Sequence, residues 1–302
     1  MNAHAGPVGT DLSVAVVVAS LGRPDLVSQI RSQIENQTHR PDILLFSVVD
    51  DADLPADFVE SNTVKVVKAR RGLCAQRNAA LDVLGEAHDL IVFYDDDFVP
   101  SRFSVERIKR FFSAHPEVVG ATGNVIADGI NTKGISRVEA EEILRLHEEK
   151  DFSPNCIVMG LTGLYGCNMV YRAASLKGNR FDERLKLYAW QEDVDFAASL
   201  RSRGRIVKTF AFAGVHLGVK VGRTPGVRLG YSQVINPSYL ASKGTMTPVR
   251  AARLILRNII ANHARCFRPE PWVDRIGRAK GNWIGLGDLL RGRLTPERIE
   301  SL

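Results

Sequence analysis

The chain has 302 residues, 45% of them hydrophobic and 25% charged, as is usual for a soluble globular protein. This composition excludes a mainly disordered chain, a collagen-like repeat and a low-complexity sequence. Residues 1–200 carry 21 basic and 29 acidic residues, a net charge of −8, whereas residues 201–302 carry 19 and 5, a net charge of +14. An acidic first part suits metal or carboxylate chemistry. A basic last part suits the phosphates of nucleotides, lipid headgroups or nucleic acid.

Four cysteines without C-x-x-C spacing exclude a disulfide scaffold and a cysteine zinc knuckle. Residues 1–11 lack the charged and apolar regions of a signal peptide, and we expect them to be flexible. The longest apolar runs, such as residues 12–21, are shorter than the roughly 20 residues that a membrane span needs. We therefore expect a cytoplasmic protein.

Apolar runs and helical patterns alternate along the first part of the chain. The predicted strands are residues 12–19, 43–49, 64–67, 90–94 and 118–126, and the predicted helices are residues 24–36, 73–84 and 102–113. This alternation with short connections predicts a doubly wound α/β sheet. Ligands of such sheets bind beyond the carboxyl ends of the strands, so polar residues just after each apolar run become candidates.

Carboxylates follow two of these strands. Asp50 and Asp51 come after the second strand, and Asp95, Asp96 and Asp97 come after the fourth. Three adjacent carboxylates repel one another, and a divalent cation such as Mg²⁺ or Mn²⁺ would compensate their charge. The alternative is a solvated loop in which Asp97 caps the next helix. The three aspartates alone leave both interpretations open.

Three other places carry candidate residues. Glu192 and Asp193 begin a helical pattern, where carboxylates also serve a purely structural role. Arg77 lies in the helix that follows a basic loop. His216 follows a predicted strand at 206–215, where it is either a metal ligand or a residue that closes the strand edge.

Taken together and in this order, several stretches resemble the family 2 glycosyltransferases, which have the GT-A fold. The stretches are ASLGRP (19–24), VVDD (48–51), GLCAQRNAAL (72–81), FYDDD (93–97) with Pro100, GCNMVYR (166–172) with RFDERL (180–185), and QEDVDF (191–196) with Leu200, Arg201 and Gly204. The resemblance covers about residues 12–215. The chain lacks the Q-x-x-R-W motif and the membrane helices of the processive synthases in this family, which implies one sugar added per encounter.

The resemblance implies a GT-A-type α/β fold, with a mixed, mostly parallel nucleotide-binding sheet flanked by helices. Residues 12–215 would form the catalytic domain, and residues 216–302 a basic helical extension on the acceptor side. The implied reaction is inverting and metal-dependent. It moves one sugar from a nucleotide diphosphate sugar, expected to be a uridine diphosphate sugar, to a saccharide or polyprenyl-linked saccharide. Assembly of bacterial surface polysaccharide at the cell envelope would be the usual setting.

Roles for individual residues follow from the same resemblance. The implied base is Asp193, with Glu192 orienting the acceptor or the base. The implied ligands of Mn²⁺ or Mg²⁺ are Asp97, Asp95 and His216. The implied contacts of the donor nucleotide and diphosphate are Ser20, Arg23, Asp50, Asp51, Arg77, Asp95 and Asp96. Residues with less specific expectations are Lys220 and Arg223 over the diphosphate, Trp190 on a sugar face or in the core, and Asn168, placed just before a helix, against the acceptor.

Residues 247–266 have the pattern of a basic amphipathic helix, with Arg250, Arg253 and Arg257 among its apolar residues. A second helix of this kind is predicted around Trp283. Two interpretations stay open. The helix docks on an anionic membrane, at its inner face, to reach a lipid-linked acceptor, or it packs on the catalytic domain and leaves its basic face in solvent.

Two other functions are compatible with parts of this pattern. A nucleotidyltransferase of similar fold would also use a nucleotide and a metal, but it would not need the base at Asp193. A basic membrane-binding or nucleic-acid-binding protein would leave the carboxylate clusters unexplained, so nucleic acid is not an expected partner.

Overall fold

The computed structural model describes residues 12–149, 157–158, 163–220 and 224–302, and the predicted flexible segment 1–11 lies outside them. The strands are β1 (Val14–Ala19), β2 (Ile43–Val48), β3 (Val64–Lys68), β4 (Leu90–Asp95), β5 (Phe98–Pro100), β6 (Val118–Asp128), β7 (Ile157–Val158), β8 (Asn168–Arg172) and β9 (Arg205–His216). The helices are α1 (Pro24–Glu35), α2 (Leu73–Leu84), α3 (Ser104–Ala114), α4 (Arg137–Glu148), α5 (Glu192–Ser199), α6 (Gly226–Lys243), α7 (Pro248–Arg265) and α8 (Arg275–Leu290).

The described strands form one sheet in the order β3-β2-β1-β4-β8-β6-β9-β5, with β7 paired to β9. The first four strands in this order are parallel, and β6 is parallel to β9. The strands β8, β5 and β7 pair antiparallel to their neighbours. The longest ladders are parallel, which confirms the predicted mixed sheet. Its carboxyl edge gathers the ends of β1, β2, β4, β6 and β9.

The core lies on both faces of the sheet, because β1 is buried on both sides. Val14, Val16 and Val18 pack with α1 and α3, while Ala15 and Val17 pack with α2. Each aliphatic side chain of this kind contributes about 1.5–3 kcal/mol when fully buried. A strand without an exposed face reads as a continuous apolar run, which is why the run was visible in the sequence.

Several elements differ from the expectations. Asn168 begins strand β8 instead of preceding a helix, because the residues after it form a ladder between β4 and β6. Helices α4 and α6 were not predicted. Helix α4 begins with a capping box in which Ser136 and Glu139 satisfy each other's backbone N–H groups. Helix α6 contains Pro237, a residue that usually argues against a helix interior.

Helices α6, α7 and α8 follow the sheet. Helices α6 and α8 cross so closely that a Cβ atom on Gly281 would lie 2.0 Å from the carbonyl oxygen of Val227. Leu240 at the end of α6 and Ala251 in α7 belong to the same core cluster as α2 and α5. The predicted helix at 247–266 is therefore confirmed as α7, and it packs with one of its faces on the core beside the sheet.

No helix among the described residues is both long enough and apolar enough to cross a membrane.

Candidate active site

Asp95, Asp96 and Asp97 stand at the carboxyl end of β4, and their side chains have different partners. Asp96 is buried and accepts hydrogen bonds from Ser20 Oγ at 2.7 Å and Arg23 Nη1 at 2.9 Å. Burial raises the pKa of Asp96 to about 6, although Arg23 opposes the shift. The predicted donor contacts Ser20, Arg23 and Asp96 are thus brought together, and they hold one another.

Asp97 faces the other way along the edge of the sheet, toward the end of β9. Its carboxylate accepts from the backbone N–H of Val219 at 2.8 Å and lies 3.3 Å from His216 Nε2. The other ring nitrogen, His216 Nδ1, is 2.9 Å from Asp128, which also accepts a 2.7 Å hydrogen bond from Tyr165 Oη. Burial alone would lower the pKa of His216. The bonds with Asp128 and Asp97 outweigh burial and raise that pKa to about 10.

Asp95, Asp97 and His216 form a cluster that suits a divalent cation. Each offers one ligand atom, and the three atoms lie within 4.8 Å of one another. Carboxylate oxygen and imidazole nitrogen are donors that suit Mn²⁺, and carboxylates also suit Mg²⁺. Asp128 fixes the orientation of the imidazole, as outer partners of metal-bound histidines commonly do. The three predicted ligands therefore come together and fit a metal ion.

Arg77 links this cluster to the second pair of carboxylates. Its guanidinium is almost fully buried, and it bonds Asp95 at 3.1 Å through Nη2 and Glu192 through Nη1. The same Nη2 donates to the carbonyl oxygen of Gly166 at 3.0 Å. Burial would lower the pKa of Arg77, but the charges of Glu192 and Asp95 outweigh burial and raise it, so the guanidinium stays protonated. One arginine therefore links a carboxyl group on each side of the site.

The two neighbours of Arg77 in α2 hold the frame of the site. Gln76 Nε2 donates to the backbone carbonyls of Ser20 at 2.8 Å and Ser47 at 2.9 Å, which fastens α2 to the ends of β1 and β2. Asn78 bonds both the N–H and the carbonyl oxygen of Phe181, at 2.8 and 2.9 Å. Three consecutive side chains thus fix the strand ends, the charge balance and the segment that precedes α5.

Glu192 and Asp193 form the first turn of α5. Asp193 accepts hydrogen bonds from the backbone N–H groups of Gly166 at 2.9 Å and Val194 at 2.8 Å. Burial, with the charge of Asp193, raises the pKa of Glu192 to about 8. Burial also raises the pKa of Asp193, against the two backbone hydrogen bonds. A carboxylate with a raised pKa is a better proton acceptor once it is ionised.

The segment before this pair has an unusual backbone. Leu187, Ala189 and Gln191 have φ angles of 58°, 52° and 79°, in the left-handed region that residues other than glycine rarely adopt. Each such residue costs of order 1 kcal/mol or more. Hydrogen bonds hold the segment in place: Leu73 N–H donates to Leu187 O, and Asn236 Nδ2 in α6 donates to the carbonyl oxygen of Trp190. The half-buried Trp190 is presented beside Glu192 by this turn.

Asp50 and Asp51 lie at the end of β2, on the predicted edge, but their contacts are local. Asp50 caps the short 3₁₀ turn Asp51–Asp53, and Asp51, with a side chain 82% exposed, pairs with Lys68 at 2.7 Å. The buried Asp53 accepts from the N–H of Gly22 at 2.6 Å, which joins the turns after β1 and β2. Their exposure leaves Asp50 and Asp51 accessible to a ligand, and their predicted nucleotide contact stays a prediction.

The loop after His216 is held down by Lys220, whose Nζ donates to the carbonyl oxygens of Gly129 and Ile130 at 2.8 and 3.1 Å. Arg223 lies outside the described residues. Asn168 is buried in β8, and its amide has no hydrogen-bond partner among the described residues.

A pocket of about 310 Å³ lies beside the start of α2, where Arg70, Arg71 and Lys186 contribute positive charge to its lining. Arg70 also pairs with Glu183 at 2.6 Å. The pocket adjoins Gly72 and Cys74, on the same helix as Arg77, so the basic loop opens onto a cavity near the carboxyl end of β3.

Asp128 and Tyr165 were not predicted as site residues from the sequence. Asp128 is the last residue of β6, two residues beyond the predicted end of that strand. Since polar residues at strand ends were the candidates, a prediction with the correct strand end would have included Asp128. Tyr165 precedes the GCNM stretch and had no such signal.

Comparisons with known proteins support the fold. No family model and no curated protein matches the chain in sequence. Among solved structures, the chain is similar to S. aureus TarS 1-349 in complex with UDP, with a TM-score of 0.57, 16% identity and coverage of 96% of this chain and 83% of that chain. It is also similar to the mannosyltransferase PcManGT from Pyrobaculum calidifontis in complex with GDP-Man and Mn²⁺ (TM-score 0.53, 15% identity, 95% and 84% covered). A third is GalNAc-T7 with UDP, GalNAc and Mn²⁺ (TM-score 0.51, 12% identity, 94% and 59% covered). The chain has the α/β fold of these glycosyltransferases, which confirms the GT-A-type fold predicted from the sequence.

Proposed function

We propose that the protein is an inverting, metal-dependent glycosyltransferase that moves one sugar from a nucleotide diphosphate sugar to a saccharide or lipid-linked saccharide. The observation that carries the proposal is one continuous network: Arg77 bonds Asp95 of the metal cluster and Glu192, while Gly166 bonds both Arg77 and Asp193. The three candidate metal ligands and the proposed base Asp193 thus belong to one connected site. The solved structures with this fold were determined with UDP, GDP-Man or Mn²⁺, which supports a nucleotide-sugar donor.

Asp95, Asp97 and His216 would hold Mn²⁺ or Mg²⁺, which would supply Lewis-acid stabilisation of the diphosphate that leaves. Asp50 and Asp51 are exposed where the donor base and ribose would bind, and we expect that base to be uracil. Arg23 bonds Asp96 and Arg77 bonds Asp95, so both guanidinium groups lie at the carboxylates that follow β4. Their guanidinium groups place positive charge where a diphosphate needs it.

Asp193 would take the proton of the acceptor hydroxyl as its oxygen forms a bond to the anomeric carbon. The bond from that carbon to the diphosphate oxygen breaks in the same displacement, so the electron pair leaves with the nucleotide and the anomeric centre inverts. One base suffices, because no covalent intermediate has to be resolved. Glu192, bound to Arg77, orients the acceptor or Asp193, and Trp190 offers a half-buried ring to a sugar face.

Thermal unfolding with a panel of nucleoside diphosphates, each with and without Mn²⁺, tests the donor site. Ligand at one hundred times its Kd stabilises the native state by about 2.7 kcal/mol. We expect a metal-dependent rise in Tm with one diphosphate, lost in Asp97→Ala and retained in the control Asp57→Ala, which removes an exposed carboxylate outside the site. If no diphosphate shifts the wild-type Tm in the presence of Mn²⁺, the proposal is wrong.

A further inference from the structure

Exposed apolar side chains are concentrated on α7 and the residues just after it. Leu256, Ile260 and Phe267 are 59%, 57% and 90% exposed. Leu256 and Ile260 are four residues apart and form a stripe along one side of α7, and Phe267 follows two residues after the end of the helix. The other side of α7 is occupied, because Ala251 packs in the core cluster and Asn262 bonds Gln233 of α6 at 2.8 Å. The stripe therefore lies on the outer side of the helix.

Helix α8 carries a second stripe. Ile276, Trp283 and Leu290 recur every seven residues and are 69%, 63% and 88% exposed. The side of α8 that carries Gly277, Gly281 and Gly285 is buried, and Gly281 lies against α6. The ring of Trp283 meets that of His263 in α7 edge to face at 5.8 Å between centroids, so the two stripes adjoin. We call these six exposed apolar residues the α7–α8 face.

The charges around this face are positive. Helix α7 contains four arginines and no acidic residue, and its Arg253 and Arg257 are exposed. Arg268 and Lys280 are exposed beside the two stripes. A second copy docked on the same face would bring these cations together, which is unfavourable. Nucleic acid would bind the cations but leave the aliphatic side chains in water.

From this combination we propose that the α7–α8 face docks on an anionic lipid bilayer. An anionic bilayer satisfies both features, because its headgroups attract the arginines and its acyl boundary accepts Leu256, Trp283 and their neighbours. The helices would lie on the surface, since none of the described helices is apolar enough to cross it. The bilayer is thus the occupant that matches both the apolar area and the charge.

The face is joined to the candidate active site through the first turn of α7. Ala251 in that turn packs in the same core cluster as Val194, the residue after Asp193, so the turn lies close to the proposed base. A bilayer on the outer side of α7 would therefore lie next to the acceptor side of the site, where a lipid-linked acceptor would enter. This connection rests on the proposed function, whereas the docking itself does not.

Co-sedimentation with vesicles tests the docking. We expect the full chain to bind vesicles of phosphatidylcholine with 30% phosphatidylglycerol, to release as salt rises, and to bind pure phosphatidylcholine at least tenfold more weakly. The double variant Leu256→Ser/Trp283→Ser should lose about tenfold or more in partition. The matched control Val83→Ser/Val138→Ser removes two exposed apolar residues, 59% and 76% exposed, from α2 and α4 and should bind as wild type.

A charge variant, Arg253→Glu/Arg257→Glu, keeps the apolar stripes and serves if the serine variant fails to fold. Each replacement reverses a charge, so it should weaken binding to anionic vesicles by about fivefold or more. The proposal fails if wild type does not bind anionic vesicles, if both variants bind as the control does, or if the face instead mediates dimerisation or DNA binding that the same variants abolish. Nucleotide-induced Tm shifts, measured without vesicles, report separately on the donor site.

Discussion

Neighbouring residues at the site have different tasks because each side chain leaves the backbone toward a different element. Asp96 is bound by the turn after β1, Asp97 by β9 and the loop after it, and Asp95 by α2. Three carboxylates that would repel one another are thereby separated among two guanidinium groups and one imidazole. Because Asp96 is bound by the turn after β1, Asp95 and Asp97 are the two aspartates that join His216 in the candidate metal site.

Replacing the proposed base separates donor binding from chemistry. Asp193→Asn keeps the shape and the hydrogen bond from Gly166 but removes the proton acceptor. We expect kcat to fall by about 10²–10⁴, the usual contribution of a general base, while the metal-dependent Tm shift with nucleotide is unchanged. Steady-state kinetics and thermal unfolding check this. A variant with wild-type kcat would assign the base elsewhere.

The partner carboxylate should affect the pH profile only at high pH. Burial and the charge of Asp193 raise the pKa of Glu192 to about 8, so Glu192 is neutral where Asp193 ionises, and the amide of Glu192→Gln replaces it there without a change of charge. Rate rises with pH as a base ionises, so the acidic limb of kcat against pH should stay in place, whereas the change of rate near pH 8 that comes from ionisation of Glu192 should disappear. The other charged or titratable groups around Asp193 are Arg77, Asp95, Tyr171, Cys167 and Arg250. Profiles measured at fixed Mn²⁺ for both proteins decide the point, and an acidic limb that moves in the variant would contradict it.

For single residues, the sequence predicts which side chains lie at the site better than it predicts the side chains they bond. Asp95, Asp97 and His216 follow buried strands, so their position at one edge could be inferred from the apolar runs. The hydrogen bond between His216 and Asp128 could not be inferred, because the two residues are 88 positions apart. The predicted strand also ended two residues before Asp128. Asp50 and Asp51 were expected near a ligand, yet whether they contact one depends on groups that the chain alone does not contain.

Among the elements, helices α6 and α8 depend on the absence of side chains at their crossing. Gly230 and Gly281 let the two backbones approach, since a Cβ on either would lie about 2 Å from a carbonyl oxygen of the other helix. The glycines and Pro237 lower the helical signal of α6 in the sequence, which is why α6 was not predicted. Helix α7, with a regular alternation of arginine and aliphatic residues, was predicted almost to its ends.

Two glycines of α8 provide a matched pair. Gly281→Ala should destabilise the protein by about 1–3 kcal/mol or more, because the new methyl group must push two backbones apart. In Gly287→Ala the nearest atom is the flexible Nη1 of Arg291 at 3.0 Å, so the change should be neutral or stabilising by up to about 1 kcal/mol through helix propensity. Urea unfolding at equilibrium compares them. Equal effects of the two substitutions would rule out the close crossing.

Across the whole molecule, the end of α6 is tied to the segments that flank the site. Lys243 donates to Asp182 and Asp195, each at 2.7 Å, and Tyr239 Oη donates to Asp182 at 2.7 Å. Asp182 belongs to the segment held by α2, and Asp195 lies in α5 two residues after the proposed base. The C-terminal helices therefore brace the site from outside. That a basic C-terminal third would also be structural could not be read from charge alone.

Removing the bonds from Lys243 to Asp182 and Asp195 should lower the free energy of unfolding by an amount that depends on pH. Lys243→Met deprives two carboxylates of their cation, and we expect a loss of about 1–3 kcal/mol at pH 7. Burial would raise the pKa of Asp182, but the hydrogen bonds from Lys243 and Tyr239 outweigh it and lower that pKa. A group with a lowered folded pKa stabilises above its unfolded value and loses this effect as the pH falls. The difference between wild type and variant should therefore shrink below about pH 4.

At high pH the contribution of Lys243 to the free energy of unfolding depends on pH in the opposite direction. Burial would lower the pKa of Lys243, yet Asp182 and Asp195 outweigh it and raise that pKa. The contribution of the ammonium is then complete below its unfolded value, about 10.4, and disappears as the pH rises through the folded one. Urea unfolding from pH 3 to pH 11 should give the largest difference on a plateau near neutrality. Lys177→Met is the control, because Lys177 forms an exposed pair with Glu86 on the surface. A difference that does not vary with pH would mean that Lys243 acts through packing alone.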